Sequence, residues 1–122
     1  MKRHVLTIEL DAEHVSDYVF YHENVWSEVE QALRKAGVVD METYLLGTRL
    51  CTVMETTDDF DPIVILQNYA DCSRVNQWDG IMNQYQRPVK EAAQNEWWAS
   101  MKKIYDSKWH SHEMHIGKEQ QE

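Results

Sequence analysis

The sequence predicts a single α+β domain in which helices cover one face of an antiparallel sheet. Two observations lead to this fold class. The predicted strands and helices follow one another in the order βαββαβ, which is typical of α+β folds. The chain has 122 residues and is 43% hydrophobic, so it is long enough to bury one core and has the composition of an ordinary soluble domain.

The N-terminal part combines a strand with a long helical pattern. Residues 4–10 mix apolar and polar positions and contain β-branched side chains, which predicts the first strand. Asp11 is a suitable N-cap, and Gly37 is expected to end the helical region as its C′ residue. Ser27 and Glu30 form a capping-box pattern, so a break with a second helix starting near residue 27 is an open alternative. The helical stripe, with spacings of three, four and seven, consists of Val15, Tyr18, Val19, His22, Val25, Trp26, Val29, Ala32, Leu33 and Ala36.

A hairpin is expected next. Residues 38–46 and 49–55 are strand-like, and Gly47 as the first of two loop residues before Thr48 fits a type II′ turn. The acidic stretch 55–61 is expected to be a solvated loop.

The second half is predicted to contain helices followed by a last strand. Asp61-Pro62 is typical of a helix start, and the face of that helix would carry Ile63, Leu66 and Ala70. Asp71 or Ser73 is expected to cap a further helix, whose apolar positions are Val75, Trp78, Ile81, Met82 and Tyr85.

Arg87-Pro88 should interrupt that helix. Residues 90–99 are expected to be helical or irregular, and residues 100–106 are the candidate last strand.

The order βαββαβ is the ferredoxin-like arrangement, and it leaves one sheet face uncovered. In this architecture a second subunit commonly closes that face, so we predict a homodimer of the dimeric α+β barrel type. The domain is expected to span residues 1–107, followed by a polar, histidine-containing tail over residues 108–122.

Charge and cysteine content exclude several classes of partner. The chain has 12 Lys and Arg against 21 Asp and Glu, a net charge of -9, which argues against binding to nucleic acid or an anionic membrane and favours a neutral or cationic ligand. No apolar stretch approaches the roughly 18 residues of a membrane helix. Met1-Lys2-Arg3 is not followed by a signal-peptide core, and Cys51 and Cys72 are expected to be reduced thiols, so a cytoplasmic protein is predicted.

The chain is rich in aromatic side chains with a polar edge. It contains five Trp, six Tyr and six His but only two Phe, which suits a ligand that is partly apolar and partly hydroxylated. On a continuous helix, Tyr18, His22 and Trp26 share one face. His22 is a candidate general acid or base because its ordinary pKa lies near neutrality, while a buried core histidine is the competing interpretation.

Two tryptophan segments are the other candidates for a binding site. Trp78, followed by Asp79, lies at helical spacing with apolar neighbours, so a core role is equally open. Trp97 and Trp98 are adjacent and cannot both face the core from one regular element. One of them must therefore face a cleft, a partner or solvent.

No metal or cofactor site is expected. His112 and His115 could share a face, but polar terminal segments are usually disordered. Asp58, Asp59 and Asp61 lack the ligand spacing of a calcium loop and are interpreted as a solvated loop with a helix cap.

The segment Tyr18-Val-Phe-Tyr-His22-Glu-Asn-Val-Trp26-Ser-Glu28 resembles the Tyr-x-x-x-His-x-x-x-Trp-Pro-Glu segment of the L-rhamnose mutarotase family, which also includes L-fucose-type mutarotases. The resemblance extends over about residues 4–106. Its later matches are Tyr44-Leu45, Gly47-x-x-Leu50, Glu55, Trp78-Asp79-x-x-Met82, Glu96-Trp97-Trp98-x-x-Met101 and Ile104-Tyr105.

The resemblance implies a dimeric ferredoxin-like enzyme that interconverts the α and β anomers of a 6-deoxy-hexose monosaccharide without a cofactor. It places the catalytic histidine at His22 and a substrate-binding tyrosine at Tyr18. The remaining residues expected around the sugar are Met41, Trp78, Asp79 and Trp98. Met41 stands where the family has a tyrosine and Ser27 where it has a proline, so the identity of the sugar is open.

Two other functions fit the same architecture. Small dimeric α+β barrel monooxygenases, some of which bind haem, also suit a helical histidine with several tryptophans. A non-catalytic, dimeric small-ligand-binding module would not need His22 at all.

Overall fold

The computed structural model describes residues 1–60 and 72–109. The predicted Asp61-Pro62 helix, the cap at Asp71 and the histidines of the tail lie outside these residues. Within the two described stretches, no helix is long and apolar enough to cross a membrane.

The sheet confirms the predicted α+β class. Its strands are β1 (Lys2–Leu10), β2 (Val38–Leu46), β3 (Arg49–Thr56), β4 (Gln86–Arg87) and β5 (Ala99–Ser100). They lie in the order β2-β3-β1-β4, with β5 also paired to β1, and all pairs are antiparallel. This is the central-β1 arrangement expected of the ferredoxin-like order.

Turn chemistry sets the register of the β2–β3 hairpin. Gly47 has a φ of 62°, whereas Thr48 has no positive φ, as the predicted type II′ turn requires. Leu46 therefore pairs with Arg49, and the register continues to Met41 opposite Met54. In β1, Ile8 lies opposite Leu50, so these two side chains share the face toward the helices.

The helical region after β1 is divided into two helices, α1 (Val15–Glu23) and α2 (Ser27–Ala36). Asp11 accepts a hydrogen bond from the Glu13 N–H and begins a short 3-10 turn ahead of α1, which confirms the predicted cap. The chain leaves α1 at Asn24, whose side chain donates to the Phe20 carbonyl.

The predicted break and second helix near residue 27 are confirmed, since α2 begins at Ser27, but the Ser27–Glu30 capping box does not form. The N-cap of α2 is Trp26, with an extended backbone and no side-chain cap, and the backbone N–H groups of Val29 and Glu30 donate to the Trp26 carbonyl. Trp26 takes this position because its indole packs against Trp78 from another helix. The contact between Trp26 and Trp78 therefore places the N-cap one residue before Ser27, the cap that the local sequence pattern predicts.

Gly37 ends α2 as predicted. Its φ is 109°, a conformation that favours glycine. A Cβ at this position would lie 2.5 Å from the hydroxyl oxygen of Thr57, and the Thr57 N–H donates to the Gly37 carbonyl. A larger residue would therefore be strained both by its backbone and by its neighbour.

Helix α3 (Ser73–Tyr85) begins after Cys72, its N-cap, so Ser73 is the first residue of the helix and not its cap. It ends before Arg87-Pro88, as expected, and the chain enters β4 at Gln86. The segment that follows is irregular, one of its two predicted forms.

The predicted strand over residues 100–106 is wrong in its length. Only Ala99–Ser100 is a strand, and the Met101 N–H makes one more hydrogen bond to the Val5 carbonyl. Beyond it, Asp106 accepts hydrogen bonds from the Lys103 ammonium and the Lys108 N–H. These local contacts hold the chain in a short turn. Pairing with β1 is shared between β4, at Glu9 and Leu10, and β5, at Leu6 and Thr7.

Two apolar clusters hold the helices against the sheet. The larger lies between helices α1, α2 and α3 and the central strands, and its buried members are Ile8, Leu10, Tyr18, Val29, Leu50, Val75, Trp78 and Met82. The smaller contains Val38, Met54 and Phe60. Tyr18 and Trp78, two of the predicted site residues, are thus part of the main core.

Candidate active site

Helix α1 brings Tyr18 and His22 together, as their spacing predicts. Their rings are stacked, with centroids 4.2 Å apart and planes inclined by 21°. Tyr18 is only 4% exposed, whereas His22 lies at the surface with one face of its ring covered by the tyrosine. His22 is therefore supported from within the protein and accessible from outside.

The hydrogen bond of His22 defines which of its nitrogens is available for chemistry. Its Nδ1 lies 2.9 Å from the Tyr18 carbonyl oxygen, which can only accept, so Nδ1 carries a hydrogen. In the neutral imidazole, Nε2 then has a lone pair. The neighbouring rings lower the pKa of His22 because they remove water from the charged form, and this favours the neutral form near pH 7.

Trp78 connects helix α3 to this pair. Its ring centroid lies 5.7 Å from that of His22 and 5.3 Å from that of Trp26. Tyr21 meets it edge-on at 5.7 Å. Trp78 is 6% exposed, so its core role is confirmed, and its ring also contacts that of His22.

Trp26, the third aromatic residue of the predicted helix face, is held by charged neighbours. The Arg74 guanidinium lies 3.8 Å from the centre of its ring, a cation–π geometry. Arg74 also approaches the Glu28 carboxylate at 3.7 Å. Since the helix is broken after residue 23, Trp26 reaches Trp78 through the start of α2 and not through a continuous helix face.

Gln86 joins Tyr18 to Trp97 across the structure. Its amide nitrogen lies 3.0 Å from the Tyr18 hydroxyl, and its amide oxygen accepts from the Trp97 indole N–H at 2.7 Å. Gln86 is 5% exposed and was not a candidate in the sequence analysis. No local pattern in the sequence marks Gln86, because both of its side-chain partners lie on other segments of the chain.

The adjacent residues Trp97 and Trp98 lie in different surroundings, which confirms the prediction that they do not both face the core. Trp98 is half-buried and packs against the main apolar cluster, whereas Trp97 is 42% exposed and directs its indole N–H to Gln86. Asp79, next to Trp78, is half-buried, and burial raises the pKa of its carboxyl group.

Met41 lies apart from the other predicted residues. It is on β2, at one edge of the sheet, while Gln86 holds Tyr18 from β4 at the other edge. Its side chain is 43% exposed. The structure therefore brings together Tyr18, His22 and Trp78 and places Trp98 against the same apolar cluster. Gln86 links Tyr18 to Trp97 in addition.

This arrangement supplies a proton acceptor beside a hydrogen-bonding phenol. The Nε2 atom of His22 can accept or donate a proton near neutral pH. Burial raises the pKa of Tyr18 to about 12, so the phenol stays protonated. Trp97 and Trp98 keep part of their indole surface accessible, and such surface is of the kind on which sugar rings pack.

Comparison with known proteins agrees with the sequence resemblance. The family model for L-rhamnose mutarotase matches residues 3–107. A UPF0734 protein of Dictyostelium discoideum is 38% identical over 103 residues, which cover 81% of this chain and 82% of that protein. The L-fucose mutarotase of Xanthomonas campestris pv. campestris is 29% identical over 104 residues, covering 84% of this chain and 83% of the enzyme.

Two solved structures share the fold. The crystal structure of an L-rhamnose mutarotase from Formosa agariphila superposes with a TM-score of 0.63 at 16% identity and covers 87% of this chain and 98% of its own. Tetracenomycin F2 cyclase from Streptomyces glaucescens, a polyketide cyclase, gives a TM-score of 0.51 at 17% identity, covering 87% and 96%. The second likeness extends only to the fold. The match over residues 3–107, together with the Tyr18–His22 pair, leads to one conclusion: the chain belongs to the L-rhamnose mutarotase family.

Proposed function

We propose that the protein is a sugar mutarotase, an isomerase that interconverts the α and β anomers of a 6-deoxy-hexose such as L-rhamnose or L-fucose. The observation that carries this proposal is the His22 ring, whose Nδ1 is committed to the Tyr18 carbonyl and whose Nε2 is the basic nitrogen at an accessible surface. Membership of the L-rhamnose mutarotase family supports the class of reaction.

The reaction requires two proton movements. The anomeric hydroxyl loses its proton while the ring oxygen gains one, and the bond between C1 and the ring oxygen breaks to give the open-chain aldehyde. Rotation about the C1–C2 bond and reclosure then produce the other anomer. No electrons are exchanged, so the cycle needs only groups that hold and return protons.

His22 is the proposed acid or base of this cycle, with Nε2 exchanging the proton. A positioned general acid or base typically accelerates a reaction about 100- to 10,000-fold. Tyr18 is the proposed ligand of a sugar oxygen, and Trp78 and Trp98 are proposed to provide apolar surface for the pyranose and its methyl group. Asp79 and Met41 remain proposed substrate-binding residues.

The function is tested with a panel of aldoses, because only a few contacts between protein and sugar determine which sugar is preferred. Saturation-transfer NMR between the two anomeric proton signals measures the exchange rate directly. We expect purified protein to accelerate exchange of L-rhamnose or L-fucose over the buffer rate, with slower exchange for sugars whose ring carries a hydroxymethyl group in place of the methyl. Exchange at the buffer rate for every sugar would contradict the proposal, and a Soret band would favour a haem-binding monooxygenase.

We also propose that the protein is a cytoplasmic homodimer that pairs through the sheet face opposite the helices. Val5, Cys51 and Val53 alternate with the helix-facing residues of β1 and β3, and among the described residues none of the three belongs to either apolar cluster. Cys51 and Cys72 are both free thiols, compatible with a reducing compartment. Light scattering after size-exclusion chromatography should give twice the chain mass of 14.5 kDa, and a monomer at micromolar concentration would refute the dimer.

A further inference from the structure

The Trp97 indole N–H sets the direction of the two hydrogen bonds that the Gln86 side chain makes. An indole N–H can only donate, so the atom of Gln86 that faces Trp97 must be the amide oxygen. The amide nitrogen must then face Tyr18, where it donates to the phenol oxygen. Trp97 thus removes the ambiguity between the two ends of the amide.

This arrangement determines where the hydroxyl hydrogen of Tyr18 points. Because its oxygen accepts from Gln86, its own hydrogen points away from that bond and is available to a further acceptor. Burial raises the pKa of Tyr18 to about 12, so the hydrogen is retained at neutral pH. A sugar ring oxygen or hydroxyl oxygen can accept such a hydrogen.

Gln86 is anchored strongly enough to act as a fixed support. Its backbone N–H donates to the Met82 carbonyl at the end of α3, and it pairs with Leu10 in the sheet. Its carbonyl also accepts from the Arg87 guanidinium at 2.7 Å. The amide therefore projects from the junction of a helix and a strand, and rigid elements hold functional groups more accurately than loops do.

We propose that Gln86 is a positioning residue which, oriented by Trp97, makes Tyr18 a hydrogen-bond donor toward the sugar. This inference rests on the proposed mutarotase function and adds two residues to it. Neither residue touches the reacting atoms in this scheme; both act through the Tyr18 hydroxyl.

The test uses two variants of the full chain. Gln86→Met keeps the length of the side chain but removes both hydrogen bonds, and Trp97→Phe removes the indole donor at a site that is 42% exposed. We expect Gln86→Met to slow anomer exchange about tenfold, the factor that corresponds to an ordinary hydrogen bond, and Trp97→Phe to slow it less. Gln84→Met, the same change at an exposed position of α3, is the matched control and should exchange at the wild-type rate.

A double-mutant cycle separates positioning from a general structural effect. In a Tyr18→Phe background the phenol is absent, so adding Gln86→Met should change the exchange rate less than twofold. Equal losses in the presence and absence of the Tyr18 hydroxyl would overturn the inference, as would wild-type exchange in both single variants. If thermal unfolding shows that Gln86→Met is not folded, the same cycle is carried out with Trp97→Phe in place of Gln86→Met.

The two levels of the proposal fail in different ways. Exchange by the wild-type protein with no loss in the Gln86 and Trp97 variants overturns the positioning role alone. A wild-type protein that accelerates exchange of no sugar in the panel overturns the mutarotase function and the positioning role with it.

Discussion

Replacing His22 with alanine is expected to reduce catalysed anomer exchange about 100- to 10,000-fold, the contribution typical of one general acid or base. The reason is the loss of Nε2, the basic nitrogen that the Tyr18 carbonyl leaves available by accepting from Nδ1. Saturation-transfer NMR on the preferred sugar measures the change. The core should tolerate the substitution because His22 lies at the surface of α1.

His14→Ala is the matched control for this experiment. His14 also lies in the first helical region, where it stacks on Tyr85 with ring centroids 5.0 Å apart and pairs with Asp17. It is outside the proposed site, so its variant should exchange at the wild-type rate. If His22→Ala retained wild-type exchange while remaining folded, the assignment of the histidine would be wrong.

The same assignment predicts a pH profile. If Nε2 acts as a base in its neutral form, exchange should fall as pH drops through the pKa of His22. Removal of water by the neighbouring rings lowers that pKa below its ordinary value of 6.5, so the midpoint should lie on the acid side of 6.5 and the catalysed rate should be level at neutral pH. A midpoint above 6.5 would contradict this placement of the histidine.

Truncating Trp78 to alanine should have the largest effect on stability among the site residues. Trp78 is 6% exposed and its ring meets those of Tyr21, His22 and Trp26, so alanine would leave a cavity between α1, α2 and α3. Losses of about 3 to 5 kcal/mol are typical of such changes. Urea unfolding followed by circular dichroism measures the free energy of unfolding.

Trp109→Ala provides the comparison for Trp78. Trp109 is 51% exposed and contacts Tyr105 near the end of the described chain, so its loss should change stability by no more than about 0.5 kcal/mol. Comparable effects of the two substitutions would show that Trp78 does not occupy the packed position between the helices.

Features that depend on neighbouring residues were predictable from the sequence alone. Asp11 caps the first turn, Gly47 forms the hairpin and Gly37 ends α2, because each conformation is decided within a few residues. The pairing of Tyr18 with His22 is equally local, since residues four apart share a helix face. The family resemblance begins with this same segment.

Features that depend on contacts between distant segments needed the tertiary structure. The packing of Trp26 on Trp78 placed the cap of α2 one residue before the capping-box signal, and β1 pairs with two short strands, β4 and β5, in place of one long last strand. Gln86 could be identified only when residues 68 positions apart were seen in contact. Spacing along the chain by itself therefore determined that the histidine and its tyrosine lie side by side. The direction of the hydrogen bonds around them was decided by packing, because donors and acceptors on separate elements meet only in the folded protein.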